Sequence, residues 1–105
     1  MSLVQKNEFN ISGKVLFVGM PIYYSEKLSK RILVMEVYAD KKYRQEVAFD
    51  FVNDHMNLLT NIRQDDWVNV DFQLRGNKKI QSDGKARWFN TVEGLSCTQQ
   101  ESKNR

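Results

Sequence analysis

The chain has 105 residues, of which 41% are hydrophobic and 11% aromatic, a composition that supports one compact domain and argues against disorder. The formal net charge is +3, and no apolar run approaches the roughly 18 residues that a membrane-spanning segment needs, so we expect no membrane partner. Cys97 is the single cysteine, which excludes an internal disulfide and favours a reduced, cytoplasmic location.

The first two predicted strands are separated by an exposed loop. Residues 8–20 form a long strand in which apolar residues alternate, and Gly13 suits a bend or bulge because it lacks a Cβ atom. Pro21 ends this strand, and PIYYSEKLSKR follows as a loop. Residues 30–39 form the second strand. Its apolar face consists of Leu33, Met35 and Val37.

The centre of the chain predicts a strand, a short helix and another strand. A tight hairpin around residues 40–42 leads into a strand whose alternate positions are apolar, and residues 68–74 alternate in the same way. Between these strands, residues 52–60 change to helical spacing. Asp50 or Asn53 can cap this helix by accepting a backbone hydrogen bond. The helix is too short to be stable alone, so it must close one end of a sheet.

The last part of the chain predicts a basic loop and a final strand. The loop has the sequence GNKKIQSDGKAR, in which Asp83 and Gly84 are a turn signal. Residues 88–97 form the last strand. The domain organisation is therefore a flexible N-terminal arm of residues 1–7, a folded domain of residues 8–97 and a disordered tail of residues 98–105.

These elements predict an all-β fold. Five strands with one short helix between strands 3 and 4 are typical of the OB-fold, a partly open barrel whose loops after the first and fourth strands flank the ligand face. Both loops are basic. Residues 23–31 hold three cations and one anion, a formal +2, and residues 75–87 hold five cations and one anion, a formal +4. The remainder of the chain therefore carries −3, so the positive charge is concentrated beside the predicted ligand face.

Three segments, YRQEVAFDF, DDWVNVDFQLRG and SDGKARWFNTVEGL, resemble the core of bacterial and phage single-stranded DNA-binding proteins, and they resemble most closely a small single-domain branch of that family. The similarity spans about residues 9–97. Asp65 stands where the family has a glycine, and Ile80 stands where the DNA-stacking members have an aromatic residue. The ending SKNR lacks the acidic terminus with which bacterial members recruit partner proteins.

The resemblance implies single-stranded DNA binding without strong sequence preference in replication, recombination or repair. Such binding needs cations along the backbone and flat rings on which bases stack. Alternation along its strand predicts that Phe49 lies in the core. The sequence assigns no role to Trp67. The candidate contact residues are Tyr23, Tyr24, Lys30, Arg31, Tyr43, Arg44, Arg75, Lys78, Lys79, Arg87 and Trp88.

Other functions stay open. The same cations and rings suit RNA, and an OB-fold can also serve as a protein-interaction subunit of a replication complex. We expect a homo-oligomer, a dimer or tetramer, because a small barrel exposes strand edges. We expect no enzyme, no metal and no cofactor. His55 is the only histidine, and no nucleophile motif or phosphate-binding loop is present.

Overall fold

The computed structural model describes residues 5–38 and 42–100. Residues 40 and 41 of the predicted hairpin, residues 1–4 of the predicted N-terminal arm and residues 101–105 of the predicted tail lie outside the described residues. The longest principal-axis extent of the molecule is 55 Å, and the other two are 40 and 31 Å. The one helix in the described ranges has seven residues, and none there has the length and hydropathy of a bilayer-spanning helix.

The predicted OB-fold, a five-stranded barrel with one short helix, is confirmed, and a two-residue strand is added to it. The elements are β1 Phe9–Val18, β2 Ile22–Tyr23, β3 Ser29–Tyr38, β4 Arg44–Val52, a 3-10 helix Asn53–Leu59, β5 Trp67–Ile80 and β6 Ala86–Gln100. The short β2 lies in the segment that was predicted to be a loop, where it pairs with the start of β3. The helix consequently lies between strands 4 and 5 rather than between strands 3 and 4.

The strand order is β1-β5-β6-β4-β3-β2, and pairing of β1 with β3 closes the barrel. Neighbouring strands are antiparallel except β4 and β6, which meet in a parallel pair at Asp50 and Glu93. β1 changes partner at Lys14, which pairs with β5 on one side and with β3 on the other. Gly13 precedes this crossing, where a Cβ atom would clash with the Glu36 carbonyl oxygen, so only glycine fits. The irregularity in β1 itself falls later, between Val15 and Phe17.

The core is formed by the inward-facing residues of the barrel strands, by Leu59 of the helix and by Ile62 just after it. Phe49 is buried, as its position in the strand alternation predicted. Its ring packs edge-on against the Phe72 ring, with 5.5 Å between the two ring centroids. Burial of each such side chain stabilises the fold by about 1.5–3 kcal/mol. The largest fully buried side chains are Phe49, Phe51, Leu33, Met35, Leu59, Val15, Val68 and Val70.

The predicted helix cap is wrong. The residue before the helix is Val52, and no side chain caps the first turn. Asn53 has a positive φ of 52°, and its Oδ1 accepts a hydrogen bond from the Ser29 N–H of β3 at 2.8 Å. Asp50 is engaged by Lys30 instead. Both predicted caps are therefore bound to β3, because the chain leaves β4 beside that strand.

The segment that was predicted to be a basic loop is a paired β-hairpin. β5 and β6 continue beyond the barrel and pair from Leu74–Val92 to Ile80–Ala86, and we call residues 74–92 the hairpin arm. The Asp83–Gly84 turn signal is confirmed, with Gly84 at φ +84° and the Gly84 N–H donating to the Gln81 carbonyl. At its other end β6 reaches Gln100, three residues beyond the predicted strand end at Cys97, because Thr98–Gln100 pair with β5.

Candidate nucleic-acid interface

The hairpin arm has two faces of different chemistry. Residues directly opposite one another in an antiparallel pair project to the same side, so the register assigns each side chain to a face. The groove face carries Arg75, Asn77, Lys79, Arg87, Phe89 and Thr91. The back face carries Leu74, Gly76, Lys78, Ile80, Ala86, Trp88, Asn90 and Val92. The groove face is polar and basic around one ring, whereas the back face is mainly apolar.

All residues of the groove face except Arg87 line one wall of an open groove of about 640 Å³. The opposite wall is Leu28 and Lys30, at the end of the β2–β3 loop. Asp50 and Glu93 form the floor, where β4 and β6 pair. The groove thus lies between the two loops that flank the ligand face of an OB-fold, and Lys30 from one segment meets Arg75 and Lys79 from the other there.

Phe89 is the aromatic ring of the groove. Its side chain is 44% exposed, with the Lys79 Nζ atom 5.7 Å and the Arg87 Cζ atom 5.8 Å from the ring centroid. A flat ring beside two cations can accept a stacked base while the cations bind the adjoining phosphates. The sequence reasoning missed Phe89 because it placed the start of the last strand at Trp88. The alternation of Arg87, Phe89 and Thr91 was the signal that could have identified it.

The groove floor is acidic, and its two carboxylates bind two of the groove cations. Lys30 Nζ lies 3.3 Å from Asp50 Oδ2, and Arg75 Nη1 lies 3.4 Å from Glu93 Oε1. Gln73 Nε2 donates to the same Glu93 oxygen at 2.7 Å. Lys30 and Arg75 are therefore paired with the floor carboxylates, and a bound phosphate would share them with those carboxylates.

The loop tyrosines lie next to the groove. Tyr23 is 73% exposed and Tyr24 is 57% exposed, so neither ring contributes to the core. The Tyr24 N–H donates to the Leu28 carbonyl at 2.9 Å, and Lys30 Nζ lies 5.7 Å from the centre of the Tyr24 ring. The loop therefore adds exposed aromatic surface beside the Lys30 wall.

Tyr43 and Arg44 lie at the other end of the β3–β4 pair. Arg44 pairs with Tyr38 in the register, eight residues along β3 from Lys30, which corresponds to about 26 Å. Arg44 Nη1 lies 3.1 Å from Glu36 Oε2, and the Tyr38 hydroxyl donates to Glu36 Oε1 at 3.0 Å. This hydrogen bond to the buried carboxylate raises the pKa of Tyr38. These residues form a second basic and aromatic region, separate from the groove.

Three further candidates lie outside the groove. Arg31 is partly buried, and its Nε donates to the Gly19 carbonyl at 2.7 Å. Lys78 and Trp88 are directly opposite each other on the back face, where Trp88 is 67% exposed. The structure thus brings Lys30, Arg75 and Lys79 together in the groove, with Arg87 at the adjoining Phe89 ring and the two loop tyrosines beside the Lys30 wall. It separates the other five candidates from the groove.

A second ring that the sequence reasoning missed is Phe17. It pairs with Val34 of β3 on the outer surface of the barrel and is 55% exposed. The bulge that precedes Phe17 reverses its orientation relative to Val15, which is fully buried. Simple alternation along β1 placed the two residues in one phase, so the sequence carried no signal for this exposed ring. Trp67, which was left unassigned, is 39% exposed at the start of β5.

The closed barrel, the helix at its end and the groove between its two loops define the chain as an OB-fold protein. The family described as a domain of unknown function, DUF3127, matches residues 10–97, and the chain belongs to that family. No curated protein sequence matches the chain.

Solved structures of single-stranded DNA-binding proteins are similar to this chain in fold. One is the mitochondrial protein Rim1 of S. cerevisiae, with 12% identity, a TM-score of 0.64 and coverage of 91% of this chain and 96% of Rim1. Another is the Plasmodium falciparum SSB in complex with single-stranded DNA, with 13% identity, a TM-score of 0.52 and coverage of 96% of this chain and all of the other. The resemblance to single-stranded DNA-binding proteins is confirmed for the fold, whereas the bacterial or phage branch stays a prediction.

Proposed function

We propose that this protein binds single-stranded nucleic acid, with DNA favoured, as an accessory of replication, recombination or repair. The observation that carries the proposal is the exposed Phe89 ring on the wall of the groove, with the Lys79 Nζ atom 5.7 Å and the Arg87 Cζ atom 5.8 Å from its centroid. The fold shared with single-stranded DNA-binding proteins adds support.

The groove supplies both interactions that single-strand binding needs. Bases can stack on Phe89 and on the loop tyrosines, while Lys30, Arg75, Lys79 and Arg87 neutralise phosphates. Stacking uses the π-face that every base has, so we expect binding to tolerate many sequences. Duplex DNA should bind more weakly because its bases are stacked on one another and cannot reach the rings.

The proposed contact surface extends beyond the groove. Tyr43 and Arg44 would contact a strand that crosses the outer surface of β3 and β4, along which Phe17 lies between the two regions. Lys78 and Trp88 would contact a strand that passes round the hairpin arm to its back face. Arg31 would add positive charge at the loop. These five are secondary contacts in the proposal.

The test is a titration with single-stranded and duplex oligonucleotides of equal length at two salt concentrations. Neutralisation of roughly three to five phosphates should give a slope of log K against log salt of about −2 to −3.5 for single strands. Equal affinity for duplex and single strands at both salt concentrations would contradict the proposal, because it would indicate a nonspecific basic patch.

RNA binding and protein interaction are the alternative functions. An RNA oligonucleotide of the same sequence, added to the titration, separates RNA from DNA. The apolar back face, where Ile80 is 64% exposed, favours a protein contact. We propose a binding protein without catalytic activity.

We also propose that the protein forms a homo-oligomer, a dimer or tetramer. In the part of the chain that the structure describes, β5 from Gly76 to Ile80 pairs with β6 on one edge and with no strand on the other. Such an edge can pair with another chain. Light scattering at micromolar concentration should report a multiple of 12.4 kDa, and a purely monomeric protein would contradict this assignment.

A further inference from the structure

The floor of the groove carries negative charge where phosphate binding alone would favour positive charge. Asp50 and Glu93 are neighbours in the parallel β4–β6 pair, and both line the groove. Their side chains are 18% and 14% exposed, so each carboxylate is partly desolvated and fixed in position. A partly desolvated charge discriminates more strongly between hydrogen-bond donors and acceptors than one in bulk water.

Each floor carboxylate keeps one oxygen available to a ligand. Asp50 is bound to Lys30 through Oδ2, and Glu93 is bound to Gln73 and Arg75 through Oε1. Within residues 5–38 and 42–100, no side chain or backbone N–H donates to Asp50 Oδ1 or Glu93 Oε2. Carboxylate oxygens accept hydrogen bonds and cannot donate them. The floor is therefore suited to a ligand group that donates.

The ligand that enters a groove with a stacking ring is a base, and its edge determines what reaches the floor. Phe89 and Glu93 project from the same side of β6, four residues and about 13 Å apart, so a strand that stacks on Phe89 and runs along β6 toward the barrel passes over the floor. Cytosine presents an amino group on its Watson–Crick edge, and Asp or Glu accepts from that group. Adenine and guanine also carry exocyclic amino groups. Thymine and uracil have no exocyclic amino group, and their one Watson–Crick donor, N3–H, lies between two carbonyl oxygens, which a carboxylate repels.

We propose that Asp50 and Glu93 give the groove a base preference: bases with an exocyclic amino group are accepted, and thymine and uracil are disfavoured. This proposal rests on the proposed function, because it assumes that unpaired bases enter the groove. It goes beyond that function by naming two specificity-determining residues. Stacking on Phe89 and phosphate binding by the cations then do not distinguish one base from another, whereas the floor carboxylates do.

The experiment compares two ligands that differ little except at the base edge. Fluorescently labelled oligo(dC) and oligo(dU) of about 12 nucleotides fall within the roughly 4–16 nucleotides that an OB barrel covers. Anisotropy titrations at pH 8 give the ratio of the two Kd values. We expect the protein to bind oligo(dC) about fivefold or more tightly, the lower range for one good base contact.

Isosteric variants connect the preference to the floor. Asp50→Asn and Glu93→Gln each remove one negative charge and add an amide N–H₂ donor, so each should move the Kd ratio toward one. The matched control is Glu8→Gln, which makes the same charge change outside the groove at a residue paired with Lys6. The control should change both affinities equally and leave their ratio unaltered. Thermal melting verifies folding, and if one floor variant does not fold, the other still tests the proposal.

Three results would overturn the inference. Equal binding of the two oligonucleotides by the unmodified protein, or tighter binding of oligo(dU), removes the preference itself. A preference that persists in both floor variants assigns it to other residues. Failure to bind any single strand overturns the proposed function and the inference with it. That result is distinguishable, because the first two outcomes both require measurable binding.

Discussion

The barrel and the hairpin arm are made from the same two strands but use their residues differently. In the barrel half of β5, Val68 and Val70 are fully buried, whereas every residue from Leu74 to Ile80 is exposed. β6 likewise contains the buried Gly94, against which the Phe51 ring packs, and then the exposed Trp88 and Phe89 of the arm. Apolar residues therefore stabilise the fold in the barrel, while in the arm they remain available for binding.

The arm shows a second difference, between its two faces. Phe89 on the groove face has two cations near its ring, whereas Trp88 shares the back face with the apolar side chains of Leu74 and Ile80. A ring with cations beside it favours binding of a nucleic acid, and the apolar back face favours contact with a protein surface. Both contrasts can be tested with substitutions.

The largest expected effect separates the barrel from the arm. Phe51→Ala should lower the free energy of unfolding by about 3–5 kcal/mol, because it empties a fully buried site. Phe89→Ala in the arm should change it by no more than about 0.5 kcal/mol, as expected for an exposed position. Urea denaturation followed by circular dichroism measures both. A comparable loss in the two variants would mean that the arm is part of the folding unit.

The next effect separates the two faces. Phe89→Ala should weaken single-strand binding by about 1–3 kcal/mol while preserving the salt slope, since it removes stacking but no charge. Trp88→Ala should have a smaller effect on binding and a larger one on the oligomeric state. Anisotropy and light scattering on the same samples distinguish these outcomes. If Trp88→Ala proves the more damaging to binding, the strand follows the back face of the arm.

Substitution of the adjacent residues Lys78 and Lys79 tests which face of the hairpin arm binds phosphates. Lys79→Ala should flatten the slope of log K against log salt by about 0.7, the value for one phosphate contact on a single strand. Lys78→Ala should flatten it less, because Lys78 lies on the back face. The double variant should flatten it by at most about 1.4. Equal effects of the two single variants would mean that both faces carry phosphates.

The smallest effect concerns the barrel and pH. Burial, followed by the nearby Asp66 carboxylate, raises the pKa of the Cys97 thiol from 9.0 to about 11. The folded state therefore favours the neutral thiol. The contribution of this thiol to the free energy of unfolding is fully present below pH 9 and is lost as the pH rises from 9 to 11. The stability difference between the unmodified protein and Cys97→Ala should decline over that interval in denaturation curves. A difference that is constant with pH would show that the thiol titrates alike in both states.

The sequence by itself determined the β-rich fold and the position of the helix along the chain. The alternation of Val68, Val70 and Phe72 and the Asp83–Gly84 turn signal are local properties, set by the two-residue period of a strand and by the backbone freedom of glycine. The two-residue period also predicted the burial of Phe49 from its position in the strand alternation alone.

The tertiary structure decided which residues meet. The basic loop became a paired hairpin, because β5 and β6 lie close enough for their backbone groups to bond beyond the barrel. A bulge exposed Phe17, since its geometry depends on the pairing of β1 with β3 rather than on β1 itself. The parallel contact of β4 with β6 placed Asp50 beside Glu93 although 43 positions separate them in sequence. Contacts between strands distant in sequence fixed the groove, and no local pattern encodes them.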